Sequence, residues 1–161
     1  MYYRRGGGMA DTKVSKTFDR KIMRVRLPPA PQNFMDKIIL AGCVIFKNNS
    51  ILLLKRKKTG LLELPGGKVE GNETPENTAK RELKEELDVE VEILKKIGKE
   101  EFKENGKAYD YIWFLAKIKN EQNLKVLEKD TFESFEYLPL KELNSAKLSP
   151  NMQNLKKFLN S

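Results

Sequence analysis

Gly66–Val89, GGKVEGNETPENTAKRELKEELDV, is the stretch whose reading decides the fold. It opens on a glycine pair, and glycine, lacking Cβ, lets backbone approach another group closely and tolerates positive φ. A short acidic loop follows, and Thr74-Pro75 then predicts a helix start. Threonine is a favoured N-cap, and proline suits the first helical position because its missing N–H would have no partner there. From Pro75 to about Leu87, the residues Ala79, Leu83 and Leu87 recur at i, i+4, i+8 and form an apolar stripe that must face a core. Glu82, Glu85 and Glu86 stand at i, i+3, i+4, so their carboxylates share one flank of that stripe. Held together and partly buried, such carboxylates repel and raise one another's pKa. A hard divalent cation, Mg²⁺ or Mn²⁺, removes that penalty. Taken alone, the pattern also suits a solvated helix with Arg81–Glu85 as an i,i+4 ion pair.

The wider spacing adds to this. Gly67, five residues, Glu73, seven residues, then Arg81-Glu82-Leu83-x-Glu85-Glu86-x-x-Val89 resembles the Nudix box of the Nudix hydrolase superfamily. One position departs: Asp88 stands where the box has glycine. It follows the helix end, where a left-handed residue is wanted, and aspartate reaches that conformation more easily than most residues. The resemblance implies an α/β fold, a Nudix-type α/β/α sandwich with a central mixed sheet. It also implies hydrolysis of a nucleoside diphosphate linked to a further group, with Mg²⁺, or Mn²⁺ as substitute, holding the diphosphate. Carried over by position, Glu82, Glu85 and Glu86 become metal ligands and the Gly66 backbone carbonyl a further one. Glu82 and Glu85 are the candidate catalytic residues, Glu82 also as the group that orients or deprotonates water. Gly67, Glu73 and Arg81 take structural parts, the last two as a charge-assisted pair holding loop to helix. Glu128 and Glu133, on later loops, are candidates for a second acid, against the plain reading of solvated loop residues.

Outside the box, LPGGKVE…ETPE and EYLPLKEL are similar to the MutT-type branch of (d)NTP pyrophosphohydrolases. That likeness implies release of a nucleoside monophosphate and pyrophosphate. An ADP-ribose or dinucleoside polyphosphate hydrolase is the alternative within the superfamily, and a non-catalytic nucleotide-sensing domain the alternative outside enzymes. Tyr111 and Trp113 share one face of a predicted strand and are candidate base contacts, while Phe114 takes the other face. Asn151, opening the last helix, is a third candidate, weighed against an ordinary helix cap.

Composition bounds the rest. The 161 residues contain no histidine, so acid–base work falls to carboxylates, lysines or tyrosines. A single cysteine, Cys43, excludes an internal disulfide and fits a reducing, cytoplasmic setting. It sits in an apolar run, where a buried inert thiol is expected. No apolar run reaches the roughly 18 residues that a membrane span needs. Of the net charge of +8, residues 1–34 hold eight Lys/Arg against two Asp/Glu, and the remainder holds 23 against 21. The basic balance thus belongs to the N-terminal stretch, and nucleic acid is not the expected partner. That stretch, with a glycine triplet and a PPAP cluster, is expected to be a disordered extension, with the natural start at Met35 and one domain over 35–161. The expected partner is a nucleotide substrate; no membrane is expected, and a homodimer through a sheet edge is left open.

Strands are expected at Lys37–Phe46 and Ile51–Lys55, joined as a hairpin, and at Leu61–Leu64, Val89–Glu101, Ala108–Ile118, Leu124–Leu127 and Phe135–Leu138. Asn105-Gly106 predicts a type I′ turn. One helical turn is expected at Leu140–Leu143 and a final amphipathic helix at Pro150–Leu159.

Overall fold

The computed structural model describes residues 37–159. The expectations of a disordered 1–34 stretch and a start at Met35 lie outside the described residues.

The apolar run at the start divides into three strands: β1 (Ile38–Val44), β2 (Phe46–Lys47) and β3 (Ser50–Arg56). This corrects the expected hairpin of two long strands. Asn48 and Asn49 both take positive φ, 48° and 59°, the signature of a tight hairpin turn. Yet only Phe46↔Ile51 and Lys47↔Ser50 pair across it. β1 instead enters another sheet, buried between β5 (Gly66–Lys68) and β7 (Lys107–Ile118).

That first sheet runs β5-β1-β7-β6, with β6 spanning Val91–Glu104. It is mixed: β1 lies parallel to β7, from Ile38↔Tyr109 to Val44↔Leu115, and antiparallel to β5. β6 and β7 form the long hairpin expected at Asn105-Gly106, with φ of 49° and 75° at its turn. The second sheet is antiparallel: β2, β3 and β4 (Leu62–Glu63) in order, with β8 (Phe132–Pro139) also on β3.

Period-two burial assigns the two helices, α1 (Pro75–Leu87) and α2 (Pro150–Leu159), to opposite faces of this layer. Leu52 and Leu54 of β3 and Phe114, Ala116 and Ile118 of β7 join Ala79, Leu83 and Leu87 of α1 in one core. Ile51 and Leu53, with Tyr111 and Trp113, join Met152 and Leu155 of α2 in the other. The result is an α/β/α sandwich whose middle layer is shared by two sheets. Leu83 is fully buried beneath α1. Its truncation in Leu83→Ala is expected to cost about 2–5 kcal/mol, read as a lower denaturant midpoint at unchanged slope. Cys43 is also fully buried, and burial pushes its thiol up to about 12, so it packs and does not react.

The strand expected at Leu124–Leu127 does not form. The segment lies beside the end of α1 and donates to it: Lys125 N–H to the Leu87 carbonyl at 3.1 Å and Leu127 N–H to the Glu86 carbonyl at 2.8 Å. The last carbonyls of a helix lack intrahelical donors, and this segment supplies two. It thereby carries Glu128 toward the acidic flank of α1.

Candidate functional site

α1 is fastened at both ends by the residues that announce it. Thr74 accepts a hydrogen bond from the Asn77 N–H at 3.2 Å, and Pro75 opens the first turn. Asp88 closes the helix in the left-handed conformation, φ 56° and ψ 30°, with its N–H on the Lys84 carbonyl. Its carboxylate bridges Lys84 at 2.8 Å and Lys125 at 3.0 Å. An aspartate therefore fills the box's glycine position and gains two ion pairs there.

Arg81 is the hub of the helix's polar flank. Its Nε and Nη2 grip Glu73 in a bidentate pair at 2.9 and 3.0 Å, and Nη1 donates to Glu82 at 2.8 Å and Glu85 at 2.9 Å. Nη2 also reaches the Lys68 carbonyl at 3.3 Å, tying helix to loop. Glu73 accepts a further bond from the Thr78 hydroxyl at 2.8 Å. These donors, Arg81 first, hold the Glu73 carboxyl down at about 2. A depressed carboxylate stabilises the fold fully above its ordinary value near 4.5 and loses that contribution as pH falls toward 2. The stability advantage of the wild type over Glu73→Gln should therefore shrink across that window in denaturant melts. Because the pair is partly exposed, 1 M salt should shrink it too.

The three helix acids occupy different surroundings. Glu86 is 3% exposed and accepts a hydrogen bond from the Gly66 N–H at 3.0 Å. Burial pushes its pKa well up, and the neighbouring Glu82 charge adds to that. Glu82 is also raised, chiefly by burial. It packs against Gly67, where a Cβ would stand 2.4 Å from the Glu82 carboxyl carbon. Glu85 is half-exposed and bound by Arg81. Gly66 donates its amide to Glu86, and this leaves its carbonyl, the atom expected to hold a cation, outside that bond. The donor set is all hard oxygen, and Glu86 is a buried carboxylate facing like charge, so the residues fit a hard divalent cation. Among the described residues, no three acidic, histidine or cysteine side chains converge as a ready-made metal cluster: Glu82 and Glu85 share the Arg81 Nη1, while Glu86 is held by the Gly66 amide.

Beyond the glycine pair opens a cleft of about 450 Å³, lined by Gly66, Gly67, Arg56, Glu63, Tyr111 and Asn151 among others. Tyr111 forms its floor at 2% exposure. Its hydroxyl is buried without a hydrogen-bond partner, and a Cβ on Gly42 would stand 2.3 Å from it. Trp113, next on the same face, lies behind the cleft in the core, its ring against Tyr111 and Phe158. Asn151 lies at the cleft's rim at the start of α2, where its side-chain oxygen accepts from the Ser149 hydroxyl. Glu128 is exposed and follows Leu127, whose N–H donates to the Glu86 carbonyl, and its charge adds to the rise of both Glu82 and Glu86. Glu133 points elsewhere: it pairs with Lys55 at 3.2 Å and lines a separate groove.

Arg56, Glu63, Phe102 and Tyr109 are among the cleft residues that the sequence did not single out. Arg56 and Glu63 form a bidentate pair at 3.1 and 2.5 Å across β3 and β4. Phe102 and Tyr109 stack at the hairpin end of the cleft. Glu63 had left a trace, as the one polar residue in LLEL, between Leu62 and Leu64 that are both buried.

The NUDIX domain family model matches residues 37–159. An 8-oxo-dGTP diphosphatase of Proteus vulgaris is 44% identical over 57 residues, 33% of this chain and 51% of that protein. An ADP-ribose pyrophosphatase of Methanocaldococcus jannaschii is 34% identical over 86 residues, 52% of this chain and 51% of that one. The chain thus spans about half the length of these two curated relatives. Among solved structures, a MutT NUDIX hydrolase from Burkholderia pseudomallei superposes with a TM-score of 0.69 at 27% identity, over 75% of this chain and 96% of that one. The E. coli ORF135 protein shares the fold, with a TM-score of 0.70 at 23% identity over 81% and 94% of the two chains.

Proposed function

We propose, since this chain belongs to the NUDIX domain family, that it is a Mg²⁺-dependent pyrophosphohydrolase converting a nucleoside triphosphate to its monophosphate and pyrophosphate. The observation that carries the reading is the buried Glu86 carboxylate on the Gly66 amide, beside Glu82, at the glycine end of the cleft. Glu82, Glu85 and Glu86 are the residues to hold the cation, which when bound neutralises phosphate oxygens that would otherwise repel a nucleophile.

The chain's own residues then do the remaining work. Arg81 fixes Glu82 and Glu85 relative to the loop through its grip on Glu73. Glu82, raised by burial, is the group to orient a water and accept its proton, since a base works best when its pKa approaches the working pH. The water oxygen bonds to the β-phosphorus and the bridge to the α-phosphate breaks, which leaves the monophosphate and pyrophosphate. Glu128, on the segment that caps α1, is the second acid on this flank, whereas Glu133 is committed to Lys55.

A second reading, hydrolysis of ADP-ribose or a dinucleoside polyphosphate, draws on the ADP-ribose pyrophosphatase relative, matched over the longer stretch. A panel of nucleotides with Mg²⁺ or Mn²⁺, products separated by chromatography and Glu85→Gln as control, separates the two. Monophosphate with free pyrophosphate from (d)NTPs supports the first reading. Turnover confined to ADP-ribose or dinucleoside polyphosphates supports the second, and silence with every substrate leaves a nucleotide-sensing domain.

A further inference from the structure

We propose that the stacked pair of Phe102 and Tyr109 is a platform for the ligand's base, an assignment that rests on the nucleotide reading above. The two residues face each other across β6 and β7, directly paired in register. Their rings lie 5.0 Å apart and within 9° of parallel. Both are only partly buried, and both line the cleft whose other end is formed by Gly66 and Gly67. The cleft is therefore chemically two-ended. Its glycine end sits over the carboxylates suited to a phosphate-bound cation, and its far end presents flat aromatic surface.

A cross-strand aromatic pair also stabilises a hairpin, by about 0.2–1 kcal/mol. That explanation accounts for the pairing but not for the pair's position. The core on this side is already closed by Tyr111 and Trp113, which continue the same face of β7 inward at 2% and 1% exposure. Phe102 packs against that core, yet it and Tyr109 stay partly exposed next to the turn, on the wall of a cleft of about 450 Å³. A third flat ring laid against the stack extends it and removes apolar surface from water. Base–aromatic stacking contributes about 1–3 kcal/mol and tolerates any base, because every base has a π-face. The platform thus supplies affinity for the nucleoside half, while choice among bases falls to the polar groups beside it, Glu63, Glu104 and Asn151.

The test needs no turnover. The full chain, without metal, is titrated calorimetrically with AMP, GMP, CMP and UMP and with ribose 5-phosphate, which lacks a base. At least one monophosphate should bind about tenfold or more tightly than ribose 5-phosphate. Phe102→Ala and Tyr109→Ala should each weaken that monophosphate by about 5- to 100-fold, the stacking contribution expressed as affinity, and leave ribose 5-phosphate unchanged. Phe102→Leu keeps apolar volume without a π-face and should bind like the alanine variant at a melting temperature within a few degrees of the wild type, while Phe102→Tyr should restore binding. Equal binding of ribose 5-phosphate and every monophosphate by the wild type would overturn the assignment, as would a leucine or alanine variant that keeps the base preference. Base-dependent binding without hydrolysis of any substrate would leave the platform standing and remove the hydrolase reading.

Discussion

Glu86→Gln is expected to lower kcat by about 10²–10³-fold and, in the same protein, to raise the melting temperature measured without metal. Both effects come from one carboxylate. Glu86 is 3% exposed, and burial and the charge of Glu82 both oppose its ionised form. The amide is nearly isosteric and its oxygen can still accept from the Gly66 N–H, so the substitution removes like-charge repulsion without opening a cavity. Relieving a buried, incompletely compensated charge is worth about 1–3 kcal/mol. The same change deletes a ligand charge from the proposed cation site, where several kcal/mol of transition-state stabilisation are at stake and each 1.36 kcal/mol is tenfold in rate. Saturating Mg²⁺ should reverse the stability order, because a ligand at about 100 times its Kd adds about 2.7 kcal/mol to a protein that binds it. Thermal melts with and without Mg²⁺, beside steady-state kinetics, read all three effects. A variant that retains activity within threefold, or melts below the wild type without metal, would show that Glu86 is an ordinary buried acid.

How much of this could be read in the sequence depended on how local each feature is. The caps of α1, the left-handed Asp88 and the Asn105-Gly106 turn are set by neighbours within a few residues, and all three stand as expected. The Glu82–Glu85–Glu86 flank follows from helical spacing alone. The exchange of sheets at Ile45 follows from no local rule: β1 leaves the hairpin because β5 and β7 offer it partners on both edges. Gly66–Lys68 is not among the strands expected from the sequence, yet it pairs antiparallel with β1, where a Cβ on Gly66 would lie 2.4 Å from the Ala41 carbonyl oxygen. Strand periodicity placed Tyr111 and Trp113 on one face but carries no information about depth along the strand, so the floor of the cleft and the core behind it were indistinguishable. The Arg56–Glu63 pair joins two strands, and only their antiparallel register, Leu54↔Glu63 and Lys55↔Leu62, brings the two side chains together.

The glycines of the box divide by what occupies the place of the missing Cβ, and this separates activity from stability. Gly67→Ala should lower kcat/KM by about 10²-fold while changing stability by less than about 1 kcal/mol. The added methyl would stand 2.4 Å from both the carboxyl carbon and Oε1 of Glu82. Those atoms are the far end of a flexible side chain, so the carboxylate moves aside at small cost to the fold. A displacement of about 1 Å at a reacting group is nonetheless worth about 10² in rate. Gly66→Ala meets backbone instead, the Ala41 carbonyl oxygen at 2.4 Å and Gly42 Cα at 2.5 Å, at a φ of 150°. Neither neighbour can yield, so that variant should lose the fold together with the activity. Gly71→Ala meets nothing within 4 Å, so the added methyl touches none of the site's side chains, but its φ of 50° imposes about 1–2 kcal/mol of left-handed strain. It should melt lower and turn over normally. Three alanine variants thus give three signatures: activity lost alone, both lost, stability lost alone. If Gly67→Ala kept full activity, the position of Glu82 would not matter to the reaction, and its part as the water-orienting acid would pass to Glu128.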